Sequence, residues 1–408
     1  MNFAHLVPCC GSGRAAQDNE YLFGGTEKVT VKRKLARLLP AFLGATVVSA
    51  HADYALNMRE GVTSTSQSVY DLHMTIFWVC CAIGVVVFGA MIYSIIYHRK
   101  AKGAVAAQFH ESTTMEILWT IVPIVILVSM AIPATSTLLA MEDTGNADLT
   151  IKVTGIQWKW KYDYVDGDAA GVSFISSLHP KHNEARVLGS GVDVTQFGDQ
   201  YLRDVDNPLV IPTGKKVRFL LTAADVIHSW WVPDLGWKKD AIPGFVNEAW
   251  TQVDEPGVYR GKCAELCGKD HGFMPIVVIA KAPEDYAKWV AEQKGAAAAA
   301  AASADREWTK DELIAKGEQV YNTNCAACHQ QNGQGVPPAF PALAGSKIAT
   351  GEAAAHIDIV MNGKAGTAMA AYRNILNDAD IAAVISYERN SWGNSAGIVQ
   401  PAAVKAAR

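Results

Sequence analysis

Cys263-Ala-Glu-Leu-Cys267-Gly-Lys-Asp-His271-Gly-Phe-Met274 places two thiols, an imidazole and a thioether within a dozen residues. Thiolate and thioether donors are soft and select copper over hard cations. His228, in Asp225-Val-Ile-His228-Ser-Trp-Trp-Val-Pro233, is the natural second imidazole from a distant segment. Gly268 and Gly272 permit the turns by which one loop can supply four donors. Two cysteines four apart also read as a disulfide or as half of a zinc site. Zinc, however, prefers closed tetrahedral Cys/His sets, in which Met274 has no place.

A second redox signature, Cys325-Ala-Ala-Cys328-His329, lies downstream. C-x-x-C-H reads as covalent c-type haem attachment, with thioethers at Cys325 and Cys328 and His329 as the proximal ligand. A methionine sixth ligand raises the haem potential, and Met361 and Met369 compete for that place. Two redox motifs and two long apolar runs describe a membrane electron-transfer protein.

The elements that must position these residues follow from pattern. The 408-residue chain suits two or three domains, and its formal net charge of -4 comes without a strong basic stripe, which argues against a nucleic-acid partner. The eight cysteines fall in four pairs: Cys9/Cys10, Cys80/Cys81, Cys263/Cys267 and Cys325/Cys328. Cys80 and Cys81 sit in an apolar run, where packing is the expected role. Residues 32–52 read as a basic, then apolar, then small-residue signal peptide with cleavage after Ala52 or Ala50. Residues 1–30 carry no periodic pattern and are assigned no function.

Met74–Tyr97 and Ile117–Met141 are uncharged runs of 24 and 25 residues, each long enough to span a bilayer. His98-Arg99-Lys100-Ala-Lys102 between them puts the 98–113 loop in the cytoplasm and both long flanks outside. Short β-rich runs across 146–280, punctuated by Gly, Pro and Asp, predict a sandwich or barrel. Pro283–Lys294 predicts a closing amphipathic helix. The alanine run after Gly295 is a linker of undefined stiffness. Beyond Trp308 a compact helical domain is expected, opened by a capping box at Thr309–Glu312 and closed by a helix over Asp378–Asn390. The expected domains are therefore 1–52 (extension and signal peptide), 53–145 (transmembrane hairpin, spans about 74–97 and 117–141), 146–294 (copper domain), 295–307 (Ala-rich linker) and 308–408 (haem domain).

Residues 60–282 resemble cytochrome c oxidase subunit II. The resemblance rests on Glu116-Ile-Leu-Trp119-Thr-Ile-Val-Pro123, Gly155-Ile-Gln-Trp158-Lys-Trp160-Lys-Tyr162, Asp225-Val-Ile-His228, Asp240-Ala-Ile-Pro-Gly244 and the cysteine loop. It implies a membrane-anchored multi-domain fold: a two-helix transmembrane hairpin and a cupredoxin-like β-sandwich or barrel, here followed by an all-α cytochrome c domain. It also implies a binuclear copper (CuA) centre. In it Cys263 and Cys267 bridge both coppers, His228 and His271 complete one each, Met274 binds one weakly and Glu265 gives its backbone carbonyl to the other. The Glu265 side chain would reach a magnesium ion at the boundary with subunit I. Gly366-Thr-Ala-Met369-Ala-Ala-Tyr372 resembles the class I cytochrome c ligand loop and favours Met369, with Met361 as the alternative.

Trp158, Trp160, Tyr162 and Tyr164 alternate at strand period and would form a one-sided aromatic ridge, flanked by Lys159 and Lys161 on the opposite face. The resemblance makes Trp158 the entry point for electrons. Glu116 reads either as part of a Thr113–Glu116 capping box or, by the resemblance, as a group at the mouth of a proton path into subunit I. Fused to a cytochrome c, as in caa-type oxidases, the chain would carry electrons from cytochrome c through its own haem and CuA to subunit I, where oxygen is reduced with proton pumping. Subunits I and III would be partners in a bacterial inner membrane, with the copper and haem domains outside. A copper-delivery protein would need neither Trp158, Glu265, Met274 nor a haem. A reductase of the nitrous oxide type would need a histidine-rich catalytic domain, and the chain has 11 histidines in all.

Overall fold

The computed structural model describes residues 57–304 and 306–408. The expected signal peptide, residues 1–30 and the Cys9/Cys10 pair lie outside the described residues. Helix α1 (Ser64–Tyr97) and helix α2 (Thr113–Glu142) form the apolar hairpin. At about 1.5 Å per residue either exceeds a roughly 30 Å hydrocarbon core. Their large apolar side chains, Val85, Trp119 and Leu127 among them, face outward, as lipid-contacting surfaces do.

Helix α1 starts ten residues before its uncharged run because a Thr63–Ser66 capping box opens it there. The same Thr63 donates through Oγ1 to the Leu235 carbonyl at 3.1 Å, and Val62 N–H donates to Asp234 O at 2.9 Å. Ser66 packs so closely on Gly236 that a Cβ there would stand 2.6 Å away. The last turn of α2 is anchored too: Trp250 Nε1 donates to Ala140 O at 3.1 Å, and Lys239 pairs with Glu142 at 2.9 Å. Both membrane helices are thus tied to the domain that follows them.

That domain is a sandwich of two five-stranded sheets. The first contains β1 (Leu149–Ile156), β2 (Lys159–Tyr164), β3 (Ser173–Ser176), β5 (Val217–Ala223) and β8 (Asn247–Thr251), in the order β3-β2-β1-β5-β8. The second contains β4 (Leu209–Pro212), β6 (His228–Val232), β7 (Trp237–Ala241), β9 (Gly257–Cys263) and β10 (Pro275–Lys281), in the order β4-β10-β9-β6-β7. Alternation explains the layers: Val217, Phe219 and Leu221 face the core, while Arg218 and Glu248 pair on the outer side. Trp160, Tyr162 and Tyr164 belong to this core and are fully buried. The expected aromatic ridge is therefore not a surface, and Trp158 does not continue it. It sits before β2, at the turn out of β1, and is half-buried.

A short helix α3 (Pro180–Ala185) crosses the β3–β4 connection. Helix α4 (Pro283–Ala304) closes the sandwich and absorbs the alanine run, which is helical. The C-terminal domain follows as α5 (Lys310–Asn324), α6 (Ala326–His329), α7 (Lys347–Thr350), α8 (Ala353–Asn362), α9 (Asp378–Asn390) and α10 (Pro401–Ala407). Thr309 and Glu312 cap α5 reciprocally. Its core runs through Leu313, Tyr321, Ile357, Met361, Ile381 and Ile385.

Helices α5 and α9 cross at Gly317, where a Cβ would lie 2.1 Å from the Ala383 carbonyl oxygen. Gly317→Ala should force the helices apart and destabilise this domain by about 1–3 kcal/mol. Denaturant unfolding followed by circular dichroism reads it, and an unchanged midpoint would show that the crossing tolerates the methyl group.

Candidate copper and haem centres

Strand β6 begins with His228, and β9 ends with Cys263. The antiparallel register that sets Trp230 opposite Cys263 brings the two side chains together. His228 Nδ1 lies 4.0 Å from Cys263 Sγ. Beyond Cys263 the chain turns, and the two thiols converge with Sγ atoms 3.8 Å apart. That exceeds a disulfide bond of about 2.05 Å, yet both sulfurs can reach one metal ion at roughly 2.3 Å each. His271, in a one-turn helical segment, places Nδ1 3.6 Å from Cys267 Sγ. The Glu265 carbonyl accepts from Cys263 Sγ at 3.3 Å, while its side chain faces solvent. Met274 is buried in the same core, and its carbonyl accepts from Cys263 N–H at 3.1 Å, closing the loop. Among the described residues, His228, Cys263 and Cys267 are the one group of three His, Cys or acidic ligand atoms all within 4.8 Å of one another.

The donor set fits a soft metal: two buried thiols, two imidazoles presenting Nδ1 and a buried thioether. The thiols act as a pair. The hydrogen bond between them lowers Cys263 and raises Cys267 relative to an ordinary thiol.

Several supporting residues were not evident in the sequence. Asp225 Oδ1 holds His228 Nε2 at 2.9 Å, which fixes the ring with Nδ1 facing the thiols. Burial is the largest single influence and opposes charging of His228, but the bonds and charges of Asp225 and Cys263 together outweigh it and raise the imidazole's pKa. Gly155 of β1 lies beneath the ring, and a Cβ there would stand 2.7 Å from His228 Cδ2. Gln157 Nε2 and Trp158 Nε1 both donate to the Cys267 carbonyl, at 2.8 and 3.1 Å. Arg186 pairs with Asp270 at 3.1 Å and braces the loop from outside. The signal for Asp225 was present, three residues before His228, but nothing in the sequence says which neighbour a histidine will grip.

In the C-terminal domain, Cys325 ends α5 and Cys328 and His329 lie on α6. Both cysteines are free thiols, and burial pushes both above the usual range. His329 Nδ1 donates to the Pro341 carbonyl at 2.9 Å, leaving Nε2 for a metal. That free nitrogen beside two free thiols fits a covalently held haem. Met369 sits in the loop after α8, half-buried, and packs on the same core as Cys325 and Ala326. Met361 is buried within that core.

Two residues differ from expectation. Ser112, not Thr113, is the N-cap of α2 and makes no side-chain cap bond, so Glu116 is not half of a capping box. It lies exposed in the first turn. Lys159 does not flank an open ridge. It is 3% exposed, because the C-terminal domain covers it, and burial pulls its ammonium down to about 8.

Residues 149–281 match the family described as cytochrome C oxidase subunit II, periplasmic domain, and residues 51–136 match its transmembrane domain. Residues 312–387 match the family described as cytochrome C oxidase, cbb3-type, subunit III. A probable cytochrome c oxidase subunit 2 of Rickettsia bellii is 41% identical over 57% of this chain and 81% of its own length. The mitochondrial cytochrome c oxidase subunit 2 of Glycine max is 33% identical over 70% of this chain and 74% of its own. The crystal structure of the periplasmic domain of cytochrome oxidase subunit II of Bradyrhizobium japonicum is 39% identical, with a TM-score of 0.32. It covers 37% of this chain and 97% of that one.

Asp225→Ala should free the His228 ring and weaken copper binding about 10–100-fold, the usual cost of losing a partner behind a metal-bound histidine. Copper titration by visible absorbance measures this, and unchanged affinity would show that β6 alone fixes the ring.

Proposed function

The chain belongs to the cytochrome c oxidase subunit II family, and we propose that Cys263, Cys267, His228, His271, Met274 and the Glu265 carbonyl hold its binuclear copper. It is the oxidase's electron-transfer subunit, with a cytochrome c domain fused at its C-terminal end, and oxygen is reduced in another subunit. When bound, the copper pair and the haem supply reversible one-electron chemistry. The observation that carries the reading is the pair of buried thiols 3.8 Å apart with an imidazole Nδ1 at 4.0 Å on one side and 3.6 Å on the other.

Each residue then has a task. Cys263 and Cys267 would hold the copper between them, and Asp225 keeps Nδ1 of His228 facing the two thiols. The β6–β9 pairing and the braced loop keep the ligands in place as the charge changes. Cys325 and Cys328 would anchor the haem covalently, and Pro341 holds the tautomer that leaves His329 Nε2 to bind it. Met369 would supply the further ligand, with Met361 as the alternative. Trp158, bonded to the Cys267 carbonyl and facing the groove toward α5 and α6, is the entry point to the copper side. Its donor is then the chain's own haem domain, which a cytochrome c or similar cytochrome reduces.

The partners that complete the enzyme are subunits I and III. The Glu265 carboxylate, exposed in the copper loop, would reach a magnesium ion at the subunit I boundary. Glu116 stands at the cytoplasmic mouth of a proton path. The membrane is a bacterial inner membrane, with the 98–113 loop inside and both redox domains outside.

Purified protein should show c-type haem bands together with the purple and near-infrared absorption of mixed-valence copper. Cys263→Ser should remove the copper absorption and leave the haem bands. If both disappear together, the two centres are not separate sites. Trp158→Ala should slow copper reduction about 100-fold without changing either spectrum, as loss of a positioned contact does; stopped-flow absorbance reads it, and an unchanged rate would remove Trp158 from the route.

A further inference from the structure

Lys159 Nζ donates to Asn324 Oδ1 at 2.7 Å and lies 5.3 Å above the Tyr372 ring. Both partners belong to the haem domain, whereas Lys159 opens β2 of the copper domain. Among the described residues no carboxylate lies within 4.0 Å of that ammonium, which is almost wholly buried. Burying an ammonium with no carboxylate in contact is costly, and the more distant Asp225 and Asp206 offset only part of that cost. The cost is partly offset by the Asn324 amide oxygen and the aromatic face. Tyr372 closes the arrangement, its hydroxyl donating to the Asn324 carbonyl at 2.9 Å.

Asn324 immediately precedes Cys325. A second lysine lies on the other side of that cysteine: Lys269 Nζ donates to the Ala327 carbonyl at 3.2 Å. Lys269 stands two residues after Cys267, and Ala327 lies between the two haem-attachment cysteines. Two cations from the copper domain thus bracket the attachment turn of the haem domain.

We propose that Lys159 and Lys269 are positioning residues that clamp the Cys325–Cys328 turn onto the copper loop, so that electrons cross between the two domains through this one docked face. This rests on the electron-transfer reading above. An apolar contact would tolerate many docking angles, but Lys159 can be buried only where Asn324 and Tyr372 meet it together. The clamp selects one orientation, and it places the attachment turn across the groove from Trp158.

The test uses the purified oxidase with both centres loaded. Intramolecular transfer is timed after flash reduction of the haem, and amide hydrogen exchange is followed at 324–328. Lys159→Met and Asn324→Leu should each slow transfer by about tenfold or more, and the double variant should be no slower than either single one. Lys269→Ala, a substitution at an exposed residue that folding does not need, should slow transfer less. Exchange at the attachment turn should rise in all of them, while the haem and copper bands stay as they are. Unchanged rates with both bands present would overturn the clamp alone, as would single effects that multiply in the double variant. Missing copper or haem bands in the unmodified oxidase would overturn the ligand assignment itself, and the clamp with it.

Discussion

The candidate copper site depends on one main-chain register. Trp230 of β6 stands opposite Cys263 of β9, and that pairing puts an imidazole beside a thiol 35 residues away in sequence. A one-residue slip would turn His228 to the other face of the sheet and leave the cysteine loop without its partner. The register is strongly held because Trp230, Val232 and Cys263 are all buried in one core. The core that stabilises the sandwich thereby also specifies the site on its rim.

Around that register the protein adds bonds that restrict movement. Asp225 locks the His228 ring, Gly155 makes room for it, and Gln157 and Trp158 hold the Cys267 carbonyl. Arg186 and Asp270 tie the far side of the loop to α3. The membrane hairpin joins the same framework through Thr63 and Trp250, so a site in the outer domain is held relative to the bilayer by hydrogen bonds at both helix ends. The second redox domain meets the copper domain at a buried lysine, Lys159, which bonds Asn324.

Sequence reading succeeded where the constraint was local. The Thr309–Glu312 cap and the helix at Asp378–Asn390 follow from short spacings, as does the grouping of Cys263, Cys267, His271 and Met274 on one loop. It failed where a neighbour came from elsewhere. Strand alternation grouped Trp158 with Trp160, Tyr162 and Tyr164, but a turn before β2 separates it from them. Glu116 matched a capping motif opened by Thr113, yet Ser112, one residue earlier, is the N-cap of its helix. Lys159 was placed on the face opposite the ridge, but nothing in its own segment shows the domain that covers it.

By itself, the sequence determined the two long apolar helices and the fold class and brought the proposed donor types together, because hydrophobic period, charge and ligand softness are properties of short stretches. The tertiary structure decided which atoms of those donors converge. It set which imidazole nitrogen faces the thiols, that Pro341 holds His329, and that Lys159 is buried against Asn324. Each of these depends on distant segments meeting at hydrogen-bond range. A contact of that kind is set by sheet register and domain packing, and short sequence spacings do not encode it.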